Sequence, residues 1–139
     1  MGFDPEMFLA GYAGAYNARD PETLRSFFAL KDPRFAVFED FSEKLFDGET
    51  YSAILEAAFD ATGEMTFELL RCDTFGEFAT VHAIQKIVDA EEAGDVVEAV
   101  IRATLLVSLA GEEPRVVSAH FSALPASGEP CDCPGGCGM

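Results

Sequence analysis

At 139 residues the chain has the size of one domain, which buries roughly two-thirds of the surface its unfolded form exposes, and a 49% hydrophobic fraction with 13 Phe supplies the core. Against 9 Lys and Arg stand 25 Asp and Glu, a formal charge of −16, and a field of that sign argues against nucleic acid and anionic membrane surfaces as partners. No apolar run approaches the roughly 20 residues of a membrane span, and Met1-Gly2-Phe3-Asp4-Pro5-Glu6 lacks the basic and apolar regions of a signal peptide, so a cytoplasmic protein is expected.

Asp4-Pro5-Glu6 and Asp20-Pro21-Glu22 repeat one helix-start signal: Asp accepts a free N-terminal amide, Pro needs no N–H, and Glu suits the helix dipole. In the first helix Phe8, Tyr12 and Tyr16 recur at four-residue spacing, while Ala10, Gly11, Ala13, Gly14 and Ala15 thin the neighbouring surface for a close contact. The second helix carries Leu24, Phe27 and Phe28 and is expected to end before Lys31-Asp32-Pro33. Phe35 to Glu39 reads as a short strand, and after Asp47-Gly48 the spacing of Tyr51, Ile54, Leu55, Ala58 and Phe59 predicts a third amphipathic helix stopping near Gly63.

From Met65 the period changes to two, predicting strands near 65–74, 77–89, 96–109 and 115–123 in an antiparallel meander. A cross-strand charge pair between Lys86 and Glu98 would set His82 opposite Arg102 and Thr80 opposite Thr104. The odd positions, among them Ala79, Val81, Ala83, Gln85, Ile101, Ala103 and Leu105, then face the interior and receive the small side of the first helix. The even face, with Thr80, His82, Arg102, Thr104 and His120, meets solvent or a second subunit, and a homodimer through it is expected.

Three helices followed by a strongly bent meander resemble the nuclear transport factor 2-like cone, particularly its SnoaL-like branch. The segments Asp32-Pro33-Arg34-Phe35-Ala36-Val37-Phe38-Glu39, Asp47-Gly48, Arg102-Ala103-Thr104 and His120-Phe121-Ser122 are similar to markers of SnoaL-like proteins and of the related association domain of calcium/calmodulin-dependent protein kinase II. The resemblance spans about residues 5–125 and implies an α+β fold, three N-terminal helices on a curved antiparallel sheet of cystatin-like type. It departs from the family at Pro114, six residues before His120, where such proteins often carry Trp; this chain has none. The cavity Arg residues of the kinase domain fall near Ala83 and Leu105, so an anion-holding cavity is not implied. The family includes isomerases, dehydratases, cyclases, epoxide hydrolases, carriers and oligomerisation modules, and its fold does not choose among them.

Inside such a cone the candidates are Tyr12 or Tyr16 from the first helix, Glu39 or Asp40 from the first strand, and Gln85. A Tyr facing a carboxylate across a dry pocket can polarise a carbonyl while the carboxylate moves a proton. Some dehydratases of this fold pair two histidines with Asp and Tyr, and the resemblance thereby brings in His82 and His120, although their parity puts both on the convex side unless a bulge intervenes. Tyr16, Asp40 and His120 are therefore the catalytic candidates, and Tyr12, Phe38 and Gln85 the ligand contacts, for a small, mostly apolar organic molecule handled without a cofactor by an isomerase, cyclase or dehydratase.

Residues 126–139 form a separate tail, in which Cys131, Cys133 and Cys137 follow the linker-like Ala126-Ser127-Gly128-Glu129-Pro130. Three thiolates brought together by Pro134-Gly135-Gly136 suit a soft metal or redox chemistry, yet the spacing is not that of a paired zinc ribbon, and a closed site would call on Asp132, Cys72 or another subunit. The second reading is thus a non-enzymatic dimerisation or binding module whose Cys tail handles a metal or redox partner.

Overall fold

A computed structural model describes residues 2–39, 42–57, 63–90 and 96–124. Among them are the helices α1 (Pro5–Asn17), α2 (Pro21–Arg25) and α3 (Gly48–Ala57), and the strands β1 (Ala36–Phe38), β2 (Leu45–Phe46), β3 (Glu64–Phe75), β4 (Phe78–Ala90), β5 (Val96–Ser108) and β6 (Arg115–Ala123). The strands make one curved, unclosed sheet in the order β2-β1-β6-β5-β4-β3, antiparallel except where β1 runs parallel to β6.

Both Asp-Pro-Glu signals cap helices as expected: Asp4 accepts the amides of Glu6 and Met7, and Asp20 accepts that of Thr23. The second helix is shorter than the sequence suggests. It ends at Arg25, and Phe27 and Phe28 fall in the following turn, because Ala29 N–H donates to Val116 O (2.8 Å) and Val116 N–H to Phe27 O (2.8 Å). That segment has become an extra partner of β6, a tertiary pairing that overrides local helix periodicity.

The meander places its inward face as the alternation predicts, with Ala79, Val81, Ala83, Ile101, Ala103, Leu105 and Val107 all buried. Its register differs by two residues: Lys86 stands opposite Val100, His82 opposite Thr104 and Thr80 opposite Leu106. A slip of two leaves every side chain on its own face, so hydrophobic pattern is silent about it, and an exposed charge pair is too weak to enforce the alternative. On the edge strand a bulge between Leu69 and Arg71 turns Leu70 outward and passes the inward role from Phe67 and Leu69 to Cys72.

The first helix lies along β3, held there by its end. Asn17 pairs with the β3 backbone like a neighbouring strand, its Nδ2 donating to Met65 O (3.0 Å) and its Oδ1 accepting from Met65 N (2.7 Å). Arg19, in the left-handed region at φ 55, donates to Tyr16 O and to Gly63 O. On the small side of α1, Ala13 and Ala15 are buried in the core, Gly11 is packed so closely that a Cβ would stand 2.8 Å from the Phe27 ring, and Gly14 faces open space. Aromatic rings cluster in the core: Tyr12 meets Phe27, Phe28 and Phe67, and Phe28 meets Phe35 and Tyr51.

The Asp32-Pro33-Arg34-Phe35 segment is a built turn. Asp32 Oδ1 accepts from Arg34 N (2.8 Å) and Nε (3.0 Å), Oδ2 accepts from Nη2 (2.9 Å), and Phe35 is thereby delivered into the core at the start of β1. The Arg34 side chain, then its backbone amide, pulls the Asp32 carboxyl down to about 2. Because the folded value lies below the unfolded one, the contribution of this turn is complete above pH 4 and disappears as pH falls towards 2. Arg34→Ala is expected to return the Asp32 titration part of the way to 3.8, the amide bond remaining, and carboxyl-carbon NMR across pH 1.5–5 checks it.

Candidate functional site

The hollow of the sheet and the three helices enclose a cavity of about 300 Å³. Its walls come from every layer: Tyr12 and Tyr16 of α1, Leu24 of α2, Tyr51, Ile54 and Leu55 of α3, Met65, Gln85, Ile87, Ala99, Ile101 and Phe121 from β3 to β6, and Glu39 just after β1. Half-buried Ile87 and exposed Ala99 mark its open rim, so Ala99 is not the interior residue its parity suggests. The volume sits at the small end of the roughly 300–1,000 Å³ range of organic-ligand pockets, and the wall has their composition, largely apolar with a few convergent polar groups.

Those polar groups form two linked pairs. Tyr51, 2% exposed, donates its hydroxyl to Glu39 Oε2 in a short hydrogen bond that holds the carboxylate against the cavity. Alternation in β1 produces this placement: Val37 is fully buried, Phe38 turns outward, and Glu39 returns inward. Deeper in, the Gln85 side chain hydrogen-bonds the Tyr12 phenol, and its Nε2 lies 3.6 Å from Met65 Sδ. Burial, and next the charge of Glu39, push the Tyr12 phenol far above the ordinary tyrosine value, which favours the neutral hydroxyl. Tyr16 carries the Arg19 guanidinium 4.9 Å from its ring centre. Among the described residues no buried side-chain nitrogen or oxygen lacks a partner.

Of the residues singled out in the sequence, Tyr12, Tyr16, Glu39 and Gln85 meet in this cavity. Phe38 and His120 do not. They lie on the opposite face of the sheet, paired in register across β1 and β6 with ring centres 5.6 Å apart, because Val37, Ala119 and Phe121 occupy the inward positions beside them. His82, also exposed, shares that face. Asp40, Cys131, Cys133 and Cys137 lie outside the described residues. Sequence reasoning missed Tyr51; the signal was a Tyr one turn into an otherwise apolar helical stripe, with its hydroxyl at the end of the stripe nearest β1.

No protein-family profile matches the chain, and no curated protein does. Solved structures do. A candidate calcium/calmodulin-dependent protein kinase type II association domain from Thiobacillus denitrificans superposes with a TM-score of 0.71 at 16% identity, over 87% of this chain and 95% of that one. The chain has the nuclear transport factor 2-like fold. A candidate dehydratase of the NTF2-like family from Streptomyces avermitilis gives 0.70 at 18% identity over 86% and 93% of the two chains. An NTF2-like protein of unknown function from Pseudomonas putida gives 0.67 at 21% identity over 88% and 85%. At these identities the likeness carries the NTF2-like architecture and leaves the chemistry to the residues of the cavity.

Proposed function

We propose that this protein binds a small, mostly apolar organic molecule in its cone and moves a proton on it without a cofactor, as an isomerase, cyclase or dehydratase does. The observation that carries the reading is the convergence of one carboxylate and three phenols on a single apolar cavity. Glu39 takes a proton from the carbon beside a carbonyl, the C–H electron pair passes towards the carbonyl oxygen, and a phenol hydroxyl donates a hydrogen bond to that oxygen as it becomes negative. Return of the proton to another carbon completes an isomerisation. Tyr12, kept protonated by burial and by Glu39, and Tyr16 are the hydroxyl donors; Tyr51 orients the base.

A β,γ-unsaturated cyclic ketone tests this directly, since its α,β-isomer absorbs in the near ultraviolet. Purified protein is expected to accelerate the conversion, and Glu39→Gln to cut the acceleration by about 10²-fold or more, the usual worth of a positioned base. Unchanged turnover in that variant would remove Glu39 from the chemistry.

The outer face supports a second element of the proposal, a homodimer. Phe38 and Leu45, 39% and 57% exposed, stand beside Thr80, Thr104 and His120 over a shallow groove, a mixed apolar and hydrogen-bonding surface. Sedimentation at micromolar concentration is expected to show a dimer that Arg102→Glu, a charge reversal on this face, weakens. A monomer at every concentration would end the dimer proposal.

A further inference from the structure

We infer that the cavity is a charge filter set by Glu39: of ligands sharing one apolar skeleton, it takes the protonated amine or the alcohol and refuses the carboxylate. The inference rests on the ligand-binding reading above and adds the class of molecule bound. Its ground is the inventory of the wall. Glu39 carries the only carboxyl among the described lining residues, and none of them is Lys, Arg or His. The Arg19 guanidinium lies over the ring of Tyr16, a lining residue, and is fastened to the carbonyls of Tyr16 and Gly63.

Geometry makes that one charge effective. Tyr51 holds the carboxylate in place, so a ligand's polar end at this spot meets a fixed acceptor with negative charge. The same cavity is lined by Ile54, Leu55, Ile101 and Phe121, which cannot solvate an incoming anion. Tyr12 already shows the effect on a resident group, since burial and Glu39 both oppose a negative charge on its oxygen. A carboxylate entering the same space meets both penalties, whereas an ammonium meets the first and gains from the second.

The test uses 2-phenylethylamine, 2-phenylethanol and phenylacetate, three probes with one aryl skeleton, titrated by NMR into the full chain in about 1 M NaCl. There the screening length is about 3 Å, so the −16 net charge acts little at a distance while a contact inside the cavity persists. The amine and the alcohol are expected to bind with shifts at Gln85 and Ile101, and phenylacetate about tenfold more weakly than the alcohol, a difference of about 1.4 kcal/mol. Glu39→Gln should narrow the gap between phenylacetate and the alcohol, the desolvation penalty remaining, and abolish any advantage of the amine; Glu112→Gln, the same change of charge on an exposed loop, should leave the gap as it was. Phenylacetate binding as tightly as the alcohol to the unmodified protein overturns the filter even if Glu39→Gln does not fold, as does a gap between the two that the substitution leaves unchanged. If the alcohol binds and the order is wrong, the filter alone fails; if none of the three binds, the ligand-binding reading fails with it.

Discussion

Gly48→Ala is expected to destabilise the fold by about 3 kcal/mol or more, although alanine is the better helix former by about 1 kcal/mol. A Cβ at this position would stand 1.8 Å from Leu30 O and 2.7 Å from Leu30 C, and the obstacle is backbone, with no side chain to rotate away. Nor can the Leu30 segment retreat. Ala29 N–H is bonded to Val116 O, Asp32 N–H to Ala29 O, and Asp32 itself is locked to Arg34. The alternative is for α3 to move, which breaks its start, where Asp47 accepts the amide of Thr50 (2.8 Å) and Tyr51 N–H donates to Asp47 O (2.9 Å). Since α3 carries Tyr51, that movement also slackens the hydroxyl that holds Glu39, and ligand binding should fall with stability. Gly14→Ala is the control: nothing lies within 4 Å of its added Cβ, and a gain of about 0.4–1 kcal/mol is expected in urea melts. A Gly48 variant as stable as the Gly14 one would contradict the close packing of α3 on the Leu30 turn.

How much of this could be seen in the chain beforehand depends on the range of the signal. Helix starts are local: Asp4 and Asp20 cap helices where the sequence places them, and Asp47, read there only as preceding the third helix, accepts the amide of Thr50 at its start. Strand parity is nearly local, and the buried odd positions from Ala79 to Val107 follow from alternation alone. Register is not local: the two-residue difference at Lys86 and Val100 preserves parity and is invisible to any face argument. The truncated α2 has the same origin, since Phe27 and Phe28 fit a helical stripe until β6 offers Val116 as a backbone partner.

The candidate site follows the same division. Tyr12, Tyr16 and Gln85 sit on elements whose inward faces were legible, and all three line the cavity. Phe38 could have been set aside by parity, because Val37 is the core residue of β1 and its neighbours must point the other way. Applied to β6, the same argument sends His120 outward between buried Ala119 and Phe121. The Tyr51–Glu39 bond joins residues 12 apart in sequence through a turn and a helix start, and no periodicity foretells it.

Leu105→Ala and Ile101→Ala, two β5 substitutions of similar chemistry on the same face, are expected to cost different amounts, because only one of them borders the cavity. Leu105 is fully buried and does not line it, so truncation leaves a void bounded on all sides, and a loss of about 4 kcal/mol within the 2–5 kcal/mol range for such changes follows. Ile101, 6% exposed, lines space that already exists; part of its surface has no packing to lose, and the loss should lie nearer 2 kcal/mol. Urea melts with unchanged slopes read the difference as a shift in midpoint. Ile101→Ala should also enlarge the cavity beside Gln85 and Phe121, improving the relative affinity for a bulkier aryl alcohol over 2-phenylethanol, while Leu105→Ala leaves that ratio alone. Equal losses, or a ratio that moves with Leu105 instead, would mean that the hollow of the cone is filled and that the ligand site lies elsewhere.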